Sequence, residues 1–118
     1  MNKVLAAAAL AANLFVVTLV PCRATTHRSG ADAAVRAGAD VFRDHCAVCH
    51  SVMPNKKIVG PSMYGEVSGP NPRKTDTQLR DIVLKGIGRM PDFKDTLSSQ
   101  NLDDLLAYLH TVSGASSQ

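Results

Sequence analysis

The segment Cys46-Ala47-Val48-Cys49-His50 is the most informative stretch of this 118-residue chain. Its C-x-x-C-H pattern is the attachment signature of c-type haem. Two thiols three positions apart at the end of a helix can both reach the vinyl groups of one porphyrin, and His50 is then directed at the iron. A shuffled chain of this composition would contain the pattern roughly 0.002 times. The segment therefore predicts one haem c, attached covalently through two thioethers at Cys46 and Cys49.

The same two thiols could instead form a redox-active dithiol or bind structural zinc. A redox-active dithiol would make the chain a small thiol oxidoreductase, and it requires free thiols at Cys46 and Cys49. That motif usually lies near a βαβ pattern, which the sequence lacks. Structural zinc takes four ligands, and only His45 and His50 accompany the thiols locally. Haem is therefore the favoured cofactor.

The composition indicates a small domain that needs help to complete its core. The chain is 45% hydrophobic but only 4% aromatic, with no Trp. Its length allows one domain at most, and three cysteines exclude a disulfide-dense scaffold. A small domain with few aromatic side chains and few possible disulfides needs another source of stability. A haem would supply it, so the haem-free chain is expected to fold poorly.

The N-terminus has the layout of a secretory signal peptide. A short positive start at Lys3 precedes an apolar run over residues 4–20, and small residues precede a possible cleavage point after Ala24. The run is marginal for a permanent anchor, which needs about 20 apolar residues. Residues 1–24 are therefore predicted to be a signal peptide, and the protein to be periplasmic. Membrane attachment is expected only if this segment is retained or Cys22 is lipidated.

The charge balance argues against nucleic-acid binding. The full chain has a formal charge of +3, and removing residues 1–24 takes two basic residues and no acidic one, which leaves about +1. No segment interleaves basic and aromatic residues as nucleic-acid sites do. Several cations could surround an exposed haem edge, although near-neutrality favours an ordinary solvated surface: Lys56, Lys57, Arg73, Lys74, Lys85, Arg89 and Lys94.

The first half of the mature chain predicts one helix and one long loop. Residues 25–31 are polar and are expected to form a flexible N-terminal segment. Helical spacing begins at Asp32, a suitable N-cap, and continues to His45. Residues 51–74 contain seven Gly and Pro residues and no regular periodicity. A loop of this length in a compact domain is typical of a functional role.

The second half predicts two more helices. Thr75-Asp76-Thr77-Gln78 fits a capping box, and Gly86 is a natural stop for the helix that follows. Ser98 is the expected cap of a last helix with clean 3.6-residue periodicity, ending at Gly114. The apolar runs follow helical spacing or are too short for strands. The sequence therefore predicts an all-α fold.

Low-spin haem iron takes a sixth ligand, and the loop at residues 86–93 offers the best one. Met53 and His45 lie too near the attachment motif in sequence to reach the other face of the ring. Met63 follows Gly-Pro and suits a hydrophobic wall, and His110 suits a helix surface. Met90 lies in a Gly- and Pro-flanked loop forty residues from His50, which can carry a side chain across the cofactor.

Together these motifs resemble a class I cytochrome c of the small bacterial kind, over about residues 32–112. Gly38-x-x-x-Phe42-x-x-x-Cys46 is similar to the N-terminal helix of that family, and residues 105–109 are similar to its C-terminal helix. Residues 60–65 resemble its G-P-x-L-x-G motif, with Met63 replacing leucine. Met90-Pro91-x-Phe93 is similar to its distal M-P-x-F motif.

The resemblance implies a cytochrome c domain over residues 32–114, with about three to four helices and long loops around one covalently bound haem. It implies that the Pro61 carbonyl accepts a hydrogen bond from His50, and that the Met90 sulfur is the second axial ligand. The chain has no Trp and few Tyr residues, so the resemblance does not identify the partner of the haem propionate. The candidates are Arg73, Arg89 and Tyr64.

With both axial positions filled, the iron can only change valence, which is the chemistry of an electron carrier rather than an enzyme. The expected protein is a monomeric, monohaem periplasmic shuttle of a respiratory chain. Its partners would be a donor dehydrogenase or membrane complex and an acceptor oxidase or reductase, contacted weakly. One alternative is a dedicated cytochrome subunit of an exported dehydrogenase. Another is a haem enzyme or gas sensor with an open iron site, which requires that Met90 does not ligate.

Overall fold

The computed structural model describes residues 26–113 and contains three helices there. They are α1 (Thr26–His45), α2 (Asp76–Lys85) and α3 (Ser99–Thr111). Within these residues the only β pairing is an isolated bridge between Ile87 and Met90. The all-α prediction is therefore confirmed. The predicted signal peptide, residues 1–24, lies outside the described residues, and no helix within them is long and apolar enough to span a membrane.

Helix α1 begins earlier than the sequence predicted. Asp32 is not its N-cap, because the helix starts at Thr26 and residues 26–31 are already helical. Gly30 interrupts this stretch, but alanines 31, 33 and 34 are strong helix formers and extend it. At the other end, the Cys46 N–H donates to the Phe42 carbonyl at 2.8 Å, so the attachment motif continues the helix directly as a turn.

The caps predicted for α2 and α3 are confirmed. Thr75 and Ser98 each form a complete capping box. The side chain of the cap accepts from the backbone N–H of the third helical residue, and the side chain of that residue accepts from the backbone N–H of the cap. Gly86 ends α2 at a φ of 72°, a conformation that favours glycine. Helix α3, by contrast, ends at Thr111 with Val112 as its C-cap, before the predicted stop.

Helices α1 and α3 cross in close contact at a glycine. Gly38 is buried, and a Cβ there would lie 2.8 Å from the Cβ of Tyr108 and closer still to the Asp104 carbonyl. One turn on, the rings of Phe42 and Tyr108 pack with centroids 5.8 Å apart. The helix pairing implied by the family resemblance is therefore present. Leu102, Leu105, Leu106 and Leu109 of α3 belong to the same core. It continues into α2 and the loops through Met63, Val67, Leu79, Val83 and Leu97.

The long loop at residues 51–74 folds back over the attachment motif. The Gly60 N–H donates to the Cys49 carbonyl and the Met63 N–H donates to the Ser51 carbonyl, each at 2.8 Å. Further on, the Gly65 N–H donates to the Val112 carbonyl at 2.8 Å and ties the loop to the end of α3. These bonds make the loop a fixed wall beside the cysteines.

Candidate haem site

The four residues predicted from the sequence, Cys46, Cys49, His50 and Met90, line one cavity of about 450 Å³. This size lies within the range of about 300–1,000 Å³ typical of small-molecule and cofactor sites. The remaining wall is mostly apolar and comes from all three helices and both long loops. Its main apolar members are Phe42, Val59, Met63, Leu79, Ile82, Val83, Ile87, Phe93, Leu105 and Leu109.

The thiol of Cys46 is held in its protonated form by its surroundings. Burial, and to a smaller extent the nearby Cys49, together raise its pKa to about 11. The thiolate, not the thiol, is the nucleophile in disulfide chemistry, and reactive cysteines have lowered pKa values. The environment of Cys46 therefore lacks the activation that a thiol oxidoreductase needs.

The imidazole of His50 is fixed by a hydrogen bond and by a glycine. Its Nδ1 lies 2.8 Å from the Pro61 carbonyl oxygen. A carbonyl only accepts, so Nδ1 carries the proton and donates, which leaves the lone pair on Nε2 for a metal. Gly60 packs against the ring, and a Cβ there would lie 2.8 Å from Nδ1 and 2.9 Å from Nε2. The sequence identified Gly60 only as part of a motif, not as the surface on which His50 rests.

A tight turn after α2 places Met90 at the cavity. Ile87 and Met90 exchange two backbone hydrogen bonds, of 3.2 and 2.9 Å. The Phe93 N–H donates to the Val83 carbonyl at 3.0 Å and fastens the other end of the turn to α2. Met90 is half-buried against the core cluster. Met90, the ligand that the sequence favoured, therefore lies on a different element from His50, and that element has its own backbone hydrogen bonds.

The other candidate ligands occupy less suitable positions. Met53 is 57% exposed and does not line the cavity. His110 lies on the exposed side of α3, where its Nε2 is 2.9 Å from an Asp76 carboxylate oxygen. Met63 is buried in the cavity wall, in the role expected for it. His45 also lines the cavity, but its ring packs edge-on against Phe93 at 6.3 Å between centroids.

No cluster of three or more His, Cys, Asp or Glu residues suited to a metal ion occurs within residues 26–113. The motif's neighbours therefore do not complete the four-ligand set that structural zinc requires. An apolar cavity with two thiols, one oriented imidazole and one thioether fits a flat, iron-containing macrocycle far better.

One corner of the cavity is polar. Glu66 and Lys74 both line it. The sequence placed Lys74 only among the cations that could surround the haem edge, and it did not identify Glu66, because an acid in an irregular loop carries no distinguishing pattern. Of the candidates for the propionate partner, Arg89 lines the cavity. Arg73 and Tyr64 instead line a separate surface cavity.

A comparison with protein families places the chain in a known family. The family model described as cytochrome c oxidase, cbb3-type, subunit III matches residues 33–109, more than half of the chain. The chain belongs to this family of c-type cytochromes. Family membership implies that the cytochrome carries haem c and transfers electrons, and such proteins are generally not enzymes.

Three relatives give the range of proteins that the cytochrome resembles. It is 33% identical over 86 residues to cytochrome c6 of Picosynechococcus, a match covering 67% of this chain and 72% of that protein. It is 29% identical over 104 residues to the cytochrome bc1 complex cytochrome c subunit of Corynebacterium diphtheriae, covering 86% and 36%. It is 36% identical over 80 residues to a nicotinate dehydrogenase subunit of Pseudomonas putida, covering 61% and 7%.

The cytochrome thus spans well under two thirds of the length of the latter two relatives. No solved structure matches it.

Proposed function

We propose that this cytochrome is a periplasmic electron carrier with one haem c attached through Cys46 and Cys49 and ligated by His50 and Met90. The observation that supports this most directly is the convergence of these four residues on one apolar cavity. They come from the end of α1 and from the turn after α2, which are far apart in sequence.

The surrounding residues fit such a cofactor. Gly60 leaves the space that the His50 ring needs, and the apolar wall would shield a bound macrocycle from water. When bound, haem c supplies a one-electron iron couple. The Pro61 carbonyl fixes the tautomer of His50 and increases the basicity of Nε2. Met90 would supply a second ligand to the iron and leave no open site for oxygen or carbon monoxide, so the site would carry electrons without catalysing a reaction.

A second candidate function is a dedicated redox subunit of a larger complex or exported dehydrogenase. The similarity to a bc1 complex subunit and to a dehydrogenase subunit favours it. The two functions require the same haem site and differ in their partners. Isolation of the tagged cytochrome from its native periplasm separates them, because a carrier elutes alone as a monomer and a subunit co-elutes with a fixed partner at constant stoichiometry.

The test of the haem site uses the full-length chain, expressed in a bacterium with haem-attachment machinery and recovered from the periplasmic fraction. Optical spectra are recorded for the oxidised protein, the reduced protein and the reduced protein under carbon monoxide. We expect a low-spin spectrum, the weak methionine-to-ferric charge-transfer band and no response to carbon monoxide. A high-spin spectrum or ready carbon monoxide binding in the wild type would refute ligation by Met90 and would favour a sensor or enzyme.

Matched variants identify the ligand. Met90→Ala is expected to lose the charge-transfer band and to gain carbon monoxide binding. Met53→Ala removes the same atoms from an exposed position outside the cavity and is expected to leave both spectra unchanged. Cys46→Ser and Cys49→Ser should each retain one thioether. Normal haem attachment in the double variant would exclude these cysteines as the attachment sites.

A further inference from the structure

The wall of the cavity contains a buried carboxylate with two cationic partners. Glu66 is only 5% exposed. Its Oε2 accepts from the Arg73 Nε at 2.6 Å, and its Oε1 lies 3.1 Å from the Lys74 Nζ. Burying a carboxylate is costly unless it is paired. Here the one negative charge of Glu66 meets two positive charges, so the cluster as a whole has an excess of one positive charge.

The two cations have different surroundings. Arg73 also donates to the carbonyls of Ser62 and Tyr64, at 2.8 and 3.1 Å, and so braces the loop that follows Pro61. It does not line the cavity. Lys74 lines the cavity, and two contacts with Glu66 fix its position. They are the ion pair and a 2.9 Å hydrogen bond from the Lys74 backbone N–H to the Glu66 carbonyl.

The Lys74 ammonium retains capacity for another partner. It has three donors, and Glu66 is its one carboxylate partner among the described residues. Its side chain is 35% exposed, so it lies at the boundary between the cavity and solvent. A haem placed in the cavity carries two propionate carboxylates, and these are the groups of that cofactor that require a cation. The remaining donors of Lys74 and its position at the edge of the cavity both match this requirement.

We propose that Lys74 is the cation that pairs with a haem propionate, and that Glu66 is the positioning residue that holds Lys74 at the cavity. This assignment rests on the proposed haem site. It also replaces Arg73 and Tyr64 in that role, because neither lines this cavity and both line a separate one. Arg89 lines the cavity too, but its side chain is exposed. No ion pair or side-chain hydrogen bond within the described residues holds Arg89 in place, whereas Glu66 holds Lys74.

The pairing has a consequence for the reduction potential. A positive charge beside the haem opposes the additional positive charge of ferric iron, so its removal favours the ferric state and lowers the potential. Salt screens exposed charges at about 1 M, where the Debye length is about 3 Å, but screens partly buried pairs much less. The effect of Lys74 should therefore persist in high salt.

The experiment compares Lys74→Gln with Lys85→Gln in the attached, purified cytochrome. Lys85 is a matched control, because its Nζ also pairs with a carboxylate, Asp81, at 2.8 Å, but on the exposed side of α2. Midpoint potentials are measured at low salt and at about 1 M salt. We expect a downward shift for Lys74→Gln that remains at high salt, and for Lys85→Gln a smaller shift that salt abolishes.

Lys74→Arg provides a second test if Lys74→Gln does not fold. It keeps the charge and changes the geometry of the donors, so we expect an unchanged potential and altered propionate bending modes in the resonance Raman spectrum. Equal potential shifts for Lys74→Gln and Lys85→Gln, or unaltered propionate modes in Lys74→Arg, would overturn the assignment of Lys74 while leaving haem attachment intact. Absence of attached haem in the wild type would instead overturn the proposed function itself.

Discussion

Replacing Gly60 by alanine would place a methyl group against the ring of His50. The new carbon would lie 2.8 Å from Nδ1 and 2.9 Å from Nε2, well inside the ordinary contact range that begins at 3.4 Å. The ring cannot retreat without breaking the 2.8 Å hydrogen bond from Nδ1 to the Pro61 carbonyl. Gly60→Ala therefore tests whether the glycine and the proline together hold the imidazole.

The expected cost follows from these two contacts. Overpacking of this kind costs about 1–3 kcal/mol, and the lost hydrogen bond costs about 1 kcal/mol. A loss of about 2 kcal/mol already lowers the Tm of a domain this size by at least about 8 °C. Weakening the bond to Pro61 also makes His50 a poorer donor to iron, so the reduction potential should rise.

The assay is thermal unfolding of the oxidised holoprotein followed by circular dichroism, with the potential measured in parallel. Gly30→Ala is the control, because a Cβ at Gly30 meets no atom within 4 Å. Alanine there should leave the potential unchanged and stabilise the helix by up to about 1 kcal/mol. A Gly60→Ala protein with the wild-type Tm and potential would refute the packing argument.

Three further predictions concern the helices and the turn that carries Met90. Gly38→Ala should force α1 and α3 apart at the Asp104 carbonyl and cost about 3 kcal/mol, seen as a lower midpoint in denaturant; an unchanged midpoint would contradict the crossing. Ser98→Ala removes the cap of α3 and should cost about 1 kcal/mol in the same assay. At Gly86 a Cβ would lie 2.6 Å from the Met90 carbonyl oxygen, so Gly86→Ala should weaken the methionine charge-transfer band and permit carbon monoxide binding, and an intact band would contradict this role.

Local features explain why much of the fold could be predicted from the sequence. The capping boxes at Thr75 and Ser98 each involve a residue three positions later, so four consecutive residues contain the whole pattern. The start of α1 was mistaken because Asp32 has the chemistry of an N-cap, while the alanines around it allow the helix to continue through it. A cap residue permits a helix to begin but does not oblige it to.

The sequence by itself determined the chemistry of the site: a C-x-x-C-H turn, a Met-Pro turn and an all-α framework, each written in neighbouring residues. Tertiary structure alone decided which side chains share the cavity with them. The contact of Gly60 with His50 spans ten residues, and the pairing of Glu66 with Lys74 depends on where an irregular loop returns. Local periodicity encodes neither, because the packing of the whole loop against α1 and α3 sets those distances.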